Sequence, residues 1–260
     1  MATQVHPLAL VEKGAELDED VIVGPFCVVG PKVKVGKGTV LDSHVVVEGR
    51  TEIGPNCRLS SFACIGKEPQ DLKYKGEDTG VLIGANNVMR EYVTVHRGSV
   101  GGDGMTRVGA DNFLMAYVHV AHDCVLHSNV ILASYVALGG HVIIEDHVFI
   151  GGLVGVHQHV RVGTQSMVGG LTRVATDIPP YMMAVGADDP ELFGPNIVGL
   201  RRRGFSNETI NELKSAHKIL FKSKLTLKSA IKKVQEELPY TDEIKYLVEF
   251  LQESKRGFIK

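Results

Sequence analysis

From Val108 to Val174 every sixth residue is aliphatic. Val108, Leu114, Val120, Leu126, Leu132, Leu138, Ile144, Ile150, Val156, Val162, Val168 and Val174 follow without a break, and small residues such as Gly109, Ala121, Gly139, Gly151 and Gly163 often come next. A period of six fits neither the 3.6 of an amphipathic helix nor the 2 of an ordinary strand. It fits a hexapeptide β-helix, in which each unit makes one short strand and one corner and three units close a triangular coil. The expected fold is therefore mainly β, a left-handed parallel β-helix. The same step runs through Val5, Val11, Leu17, Val23, Val29, Val35, Leu41, Val47, Ile53, Leu59 and Ile65, with Pro25, Pro31 and Pro55 at corners, where a fixed φ suits the chain. This first half carries few clustered polar groups and reads as scaffold.

Residues eighteen apart should stack on adjacent coils, which lie about 4.8 Å apart. His122, Gly140 and Gln158 then form one column, Asp123 and His141 the next, and Gly139 with His157 the column on the other side. Three histidines, a carboxylate and two glycines gather on one face of three consecutive coils. That cluster is the candidate active site.

The period fails twice. Residues 66–82 form a polar insert punctuated by Pro69, Gly76 and Gly80, and residues 98–107 form a Gly-rich second loop that reads as flexible. On charge alone the first insert is a solvated loop. Loops on rigid scaffolds also carry function, which draws attention to Gln70, Asp71, Lys73 and Tyr74. Across these loops the phase of the coil bearing His96 is open. After Val174 the segment Asp177-Ile178-Pro179-Pro180-Tyr181 ends the solenoid, since two prolines cannot continue a ladder. Residues 186–198 read as an extended linker. Helices are expected over 207–221, 227–238 and 242–253, capped by Ser206, Thr226 and Thr241. The expected division is a β-helix domain over 1–190 and a C-terminal helical domain over 191–260.

Composition excludes several classes. The 260 residues carry a formal net charge of −2, which argues against a general nucleic-acid binder. No apolar run reaches the roughly 18 residues of a membrane span. The N-terminus has no basic-then-apolar signal, so a cytoplasmic location is expected. Cys27, Cys57 and Cys124 each sit four places after an aliphatic anchor, and Cys64 follows Ala63. They read as buried small residues rather than disulfide or metal ligands.

The cluster suits general-base catalysis. Histidine titrates near neutrality, and Asp123 beside His122 would fix its tautomer as a triad carboxylate does. A Gly140 N–H would hold an oxyanion. No nucleophilic Ser or Cys is obvious on this face, so the simplest chemistry is direct attack of a substrate hydroxyl on an acyl donor. Two other readings stand beside it: a zinc lyase of the γ-carbonic anhydrase type, drawing on His119, His122, His127, His141, His147, His157 and His159, and a non-catalytic solenoid scaffold. The Arg201-Arg202-Arg203 run is either solvated surface or a binder of phosphates or an acidic partner.

At the motif level the sequence resembles the acyl-carrier-protein-dependent UDP-N-acetylglucosamine O-acyltransferases, which open lipid A synthesis in Gram-negative bacteria. The resemblance rests on Gln70-Asp71-Leu72-Lys73-Tyr74, Val95-His96-Arg97-Gly98, His119-Val120-Ala121-His122-Asp123-Cys124, Gly140-His141, Val156-His157-Gln158, Asp177-Ile178-Pro179-Pro180-Tyr181 and Arg202-Arg203-Gly204-Phe205. It covers nearly the whole chain. It implies a homotrimer with sites between subunits, His122 as base, Asp123 as its orienting carboxylate and Gly140 as oxyanion donor. It further implies that Asp71 and Lys73 hold sugar and phosphate, that Gln70, His96, His119, His141, His157 and Gln158 line the substrate pocket, and that Asn196, Arg202 and Arg203 contact the nucleotide or the donor's phosphopantetheine. No cofactor or metal is implied on the protein itself; phosphopantetheine arrives on acyl carrier protein. The acceptor is UDP-N-acetylglucosamine or its 3-amino analogue. Met167, Gly170 and Leu171 are candidates for the acyl-chain pocket, and Gly170 leaves room for a longer chain. Lysines of the helical tail, from Lys214 to Lys233, suit an acidic carrier. His159, Val198 and the Asp188-Asp189-Pro190-Glu191 segment depart from the family pattern.

Overall fold

The computed structural model describes residues 2–260. Short strands, parallel except for the last of the first face, build three faces of a triangular prism. The first face has 11 strands, from Gln4–Val5 to Glu191–Pro195; the second has 9, from Leu10–Val11 to Arg173–Val174; the third has 8, from Glu16–Leu17 to Arg161–Val162. Successive coils pair at eighteen residues, as in Val28 with Val46 and Val120 with Leu138. At the inserts the spacing widens: Ile65 pairs with Val95 and Val95 with Val120. This fixes the phase that the sequence left open.

Each six-residue unit sends two side chains inward, the anchor and the residue four places on. Val118, Cys124, Val130, Val136, Val142 and Val148 fill that second row and are all fully buried. A prism this narrow has no room for rings in its core, which explains the absence of Trp. Cys27, Cys57 and Cys124 occupy the same row, and Cys64 is only partly buried. Burial raises the thiol pKa of all four, that of Cys124 to about 12.

The corners depend on a left-handed backbone position three residues after each anchor. From Asp111 to Leu171 every sixth residue has φ between 58° and 64°, and none of them is glycine. Side chains disfavour this region, and Asn, Asp and His tolerate it best. Between the first and second faces the residues in this position stack: Phe26, His44, Phe62, Tyr92, Tyr117 and Tyr135, with ring centroids 4.7–5.0 Å apart.

Met182–Val185 pairs with strand Glu191–Pro195 antiparallel, so the stretch read as a linker is instead a hairpin that caps the first face. Four helices follow: α1 (Ile197–Arg202), α2 (Asn207–Phe221), α3 (Leu227–Glu237) and α4 (Asp242–Glu253). Ser206 and Thr226 cap α2 and α3 by accepting from Thr209 and Ser229 N–H. Thr241 stands at the cap position of α4, but its hydroxyl makes no cap bond. Buried Glu145 docks α4 on the prism by accepting from the Tyr246 hydroxyl at 2.6 Å, while Arg161 Nε of the prism donates to its other oxygen at 2.5 Å.

Candidate active site

Both inserts leave the solenoid at the corner between the second and third faces, over residues 68–79 and 97–104. His122, Gly140 and Gln158 stack at that corner, as their eighteen-residue spacing demands. A methyl group added to Gly140 would lie 2.5 Å from the His122 ring, so only glycine lets the imidazole lie flat on the coil beneath it. The Gly140 N–H takes no part in the ladder, whereas Gly139 N–H donates to Val156 O and His141 N–H to His122 O.

His122 Nδ1 lies 2.8 Å from Asp123 Oδ2. Asp123 is a corner residue at φ 58°, and its side chain is 3% exposed. Its carboxylate is clamped from outside by the second loop. Ser99 N–H donates to both oxygens at 3.0 and 3.1 Å, and the Ser99 hydroxyl donates to Oδ2 at 2.7 Å. Asp123 N–H donates to the Thr106 hydroxyl. Gly102 comes so close that a Cβ there would lie 2.4 Å from Asp123 Oδ1. The loop read as flexible from its glycines is thus packed on the buried carboxylate, and the glycines are there for the close approach.

Other histidines surround this pair. The register puts His96 over Ala121, edge-on to His119 at 5.0 Å. His119 Nδ1 contacts the Thr94 hydroxyl at 2.7 Å. Burial pushes His119 down to about 4 and lowers His96 and His141 as well. These three stay neutral near pH 7. His119 and His141 wall the cavities that meet at His122, whereas His96 is buried behind them and lines neither. His141 Nε2 is 3.8 Å from Asp123 Oδ2, and its ring stacks on His159 at 4.5 Å. His157 is exposed and meets Arg256 of the C-terminal tail at 3.2 Å.

Two cavities meet at His122. One, about 730 Å³, lies under the first insert and is walled by Gln70, Asp71, Lys73, Ser99, His141 and His159. The other, about 600 Å³, runs along the second face over Ala121, Ala137, Leu138, Gly155 and Val156, with His119 and His157 at its side. His122, Gln70 and Gln158 border both. The first insert is held down by Arg97, whose guanidinium donates to Gly66 O at 2.8 Å and to the Tyr74 hydroxyl at 3.0 Å.

The remaining candidates lie elsewhere in the chain. Asn196 caps α1 and donates to Gln165 O at 2.9 Å, and Arg203 bonds His147. Both belong to the corner between the third and first faces, with exposed Arg202 beside them. Met167 is on the first face, and Gly170 and Leu171 are at the corner that follows it. None of these six lines either cavity. His122, Asp123 and His141 also form a group whose ligand atoms lie within 4.8 Å of one another, so the residues of the zinc reading coincide with those of the acid–base reading.

Residues 177–259 match the family model described as UDP-N-acetylglucosamine O-acyltransferase, domain 2, and residues 105–140 match the bacterial transferase hexapeptide model. An acyl-[acyl-carrier-protein]–UDP-N-acetylglucosamine O-acyltransferase from Thermodesulfovibrio yellowstonii is 54% identical over 257 residues, covering 99% of both chains. The chain belongs to this acyltransferase family. A UDP-N-acetylglucosamine acyltransferase of known structure from Bacteroides fragilis superposes with a TM-score of 0.96 at 39% identity, covering 99% of this chain and 100% of that one. LpxA from Acinetobacter baumannii gives 0.95 at 43% identity, covering 98% and 99%. Within this acyltransferase the departures noted in the sequence fall in separate places. His159 joins the wall of the larger cavity, Val198 is exposed on α1, and Asp188-Asp189-Pro190 lies in the turn of the capping hairpin with Glu191 opening its second strand. Sequence reading singled out neither Ser99 nor Arg97 as a site residue. Arg97 stood in the motif Val95-His96-Arg97-Gly98 without a role, and the one signal for Ser99 was its position three residues after His96, at the mouth of an insert.

Proposed function

We propose that the chain transfers a 3-hydroxyacyl group from acyl carrier protein to the glucosamine 3-position of UDP-N-acetylglucosamine, the first step of lipid A synthesis. The observation that carries this is the junction of two unlike cavities at one imidazole whose Nδ1 faces a buried carboxylate. The cavity under the first insert suits the sugar, with Asp71 and Lys73 toward hydroxyls and phosphate. The more apolar groove along the second face suits the acyl-phosphopantetheine arm. His122 Nε2 takes the proton of the 3-hydroxyl as its oxygen attacks the thioester carbon. Asp123 holds the tautomer and stabilises the imidazolium. The Gly140 N–H receives the oxyanion. Collapse breaks the C–S bond, and the imidazolium returns its proton to the departing thiolate. No acyl-enzyme is needed.

The same reading makes the protein a homotrimer. Asn196, Arg202 and Arg203 sit on a different corner from His122, and the groove on the second face is open. A neighbouring chain would bring the first set to the second, and with it Met167, Gly170 and Leu171 to the acyl tail. Gly170→Met should then shorten the preferred acyl chain. The lysines of α2 and α3 offer the acidic carrier a basic approach, and both substrates belong to the cytoplasm.

The test is turnover of a 3-hydroxyacyl carrier protein with UDP-N-acetylglucosamine or its 3-amino analogue, each with and without a chelator. The acyltransferase reading requires chelator-resistant product with one of the two. Product only when zinc is present would favour the metal reading of His122, Asp123 and His141. No product with either sugar would overturn the substrate assignment.

A further inference from the structure

Asp123 has two kinds of neighbour. His122 approaches from the solenoid, and Ser99 approaches from the second insert. Their bonds converge on one atom: Oδ2 lies 2.8 Å from His122 Nδ1 and accepts the Ser99 hydroxyl at 2.7 Å and the Ser99 N–H at 3.0 Å. Ser99 is 2% exposed and Asp123 7%, so the pair is nearly closed to bulk solvent. A carboxylate taken out of water is costly unless its lone pairs are matched. Thr106 secures only the Asp123 backbone. Ser99 is therefore the sole side chain, apart from the imidazoles, that meets the carboxylate among the described residues.

From this convergence we infer that Ser99 is a positioning residue for the reaction: its hydroxyl fixes the Asp123 carboxylate so that Oδ2 faces His122 Nδ1 and the opposite ring nitrogen stays free for substrate. Ser99 does not touch the reacting atoms through this hydroxyl and acts through Asp123. The inference rests on His122 being the base, as proposed above. It also gives the second insert a task. Gly98 and Gly102 let the loop close on itself and on the carboxylate: a Cβ on Gly98 would lie 2.2 Å from Gly104 C, and one on Gly102 would strike Asp123. The Gly102 N–H donates to Ser99 O at 3.2 Å, which closes the turn that aims Ser99 inward.

A hydroxyl that orients a catalytic carboxylate should affect kcat and leave substrate affinity alone. Ser99→Thr and Ser99→Val make the deciding pair. Both are β-branched and nearly equal in volume, so packing strain is shared and only the hydroxyl differs. The expected result is kcat within about 3-fold of wild type for Ser99→Thr and about 10-fold or more below Ser99→Thr for Ser99→Val, with KM for the UDP-sugar within about 3-fold in both. Equal kcat for the two variants, high or low, would overturn the inference, because the hydroxyl would then be irrelevant. So would a loss confined to KM. Measuring Ser99→Val in a His122→Ala background separates this failure from that of the base assignment. If His122→Ala alone keeps wild-type turnover, both fail. If His122→Ala is impaired and Ser99→Val lowers it no further, the two residues act as one unit, as inferred. A full additional 10-fold loss on that background would mean that Ser99 acts independently of His122.

Discussion

Two corners of the prism share one backbone and have opposite chemistry. At the corner between the first and second faces, the left-handed positions hold Phe26, His44, Phe62, Tyr92, Tyr117 and Tyr135 in an open stack. At the corner between the second and third faces, they hold Asp123, His141 and His159. The backbone cannot be what makes one of them a site. The difference is cover: both inserts rise from the second corner and none from the first. Under that cover Asp123 is buried and bonded on every side. In the open, the aromatic rings gain only from one another. A repeat supplies positions at fixed intervals, and a local interruption of the repeat turns one position into a site.

This contrast can be broken experimentally, beginning where the effect is largest. Gly140→Ala places a methyl group against the His122 ring and disturbs the oxyanion donor; turnover should fall by about 10²–10³-fold, the scale of a lost oxyanion contact. Arg97→Ala releases the first insert from Gly66 and Tyr74 while leaving His122 and Asp123 bonded. KM for the UDP-sugar should rise about 10-fold, with a smaller change in kcat, because ordering of a binding loop is lost. At the open corner, Tyr117→Ala removes two stacked contacts. A loss of about 0.5–1.5 kcal/mol per aromatic pair, about 1–3 kcal/mol for the two, should lower Tm by about 2–12 °C and leave turnover within about 2-fold.

The smallest effect is on the pH dependence of stability. The folded protein holds His119 at about 4, because it is buried, while an unfolded histidine titrates at its ordinary value. Between those values the unfolded chain binds more protons, so stability is complete above the ordinary histidine range and declines as pH falls toward 4. Buried His96 and half-buried His141 act in the same direction. Tm should therefore drop between pH 7 and 5, and His119→Gln should make that drop shallower. An unchanged slope would remove His119 from the account.

Much of the architecture was legible because the repeat is arithmetic. Once Val120, Leu138 and Val156 are recognised as anchors, the stacking of His122 on Gly140 on Gln158 follows by counting. The helix caps at Ser206 and Thr226 followed from local chemistry. Sequence reading failed where the count is interrupted. The phase of His96 depends on how many residues each insert removes from the coil, and only the pairing of Val95 with Val120 shows it. Ser99 was hidden for a related reason. A serine among glycines looks like loop, and its partner Asp123 is 24 residues away in sequence. The hairpin over residues 182–195 was missed because the six-residue count stops before it, although Met182 and Leu192 are buried against the coil end.

The most direct test of the account is turnover by His122→Ala measured beside its melting temperature. His122 is polar, partly exposed and outside the inward rows, so its removal should leave Tm within a few degrees. The account predicts a fall in kcat/KM of about 10²–10⁴-fold or more, the range of a lost general base, in a protein that still melts cooperatively near wild type. Wild-type turnover in that folded variant would contradict the claim that this corner carries the chemistry.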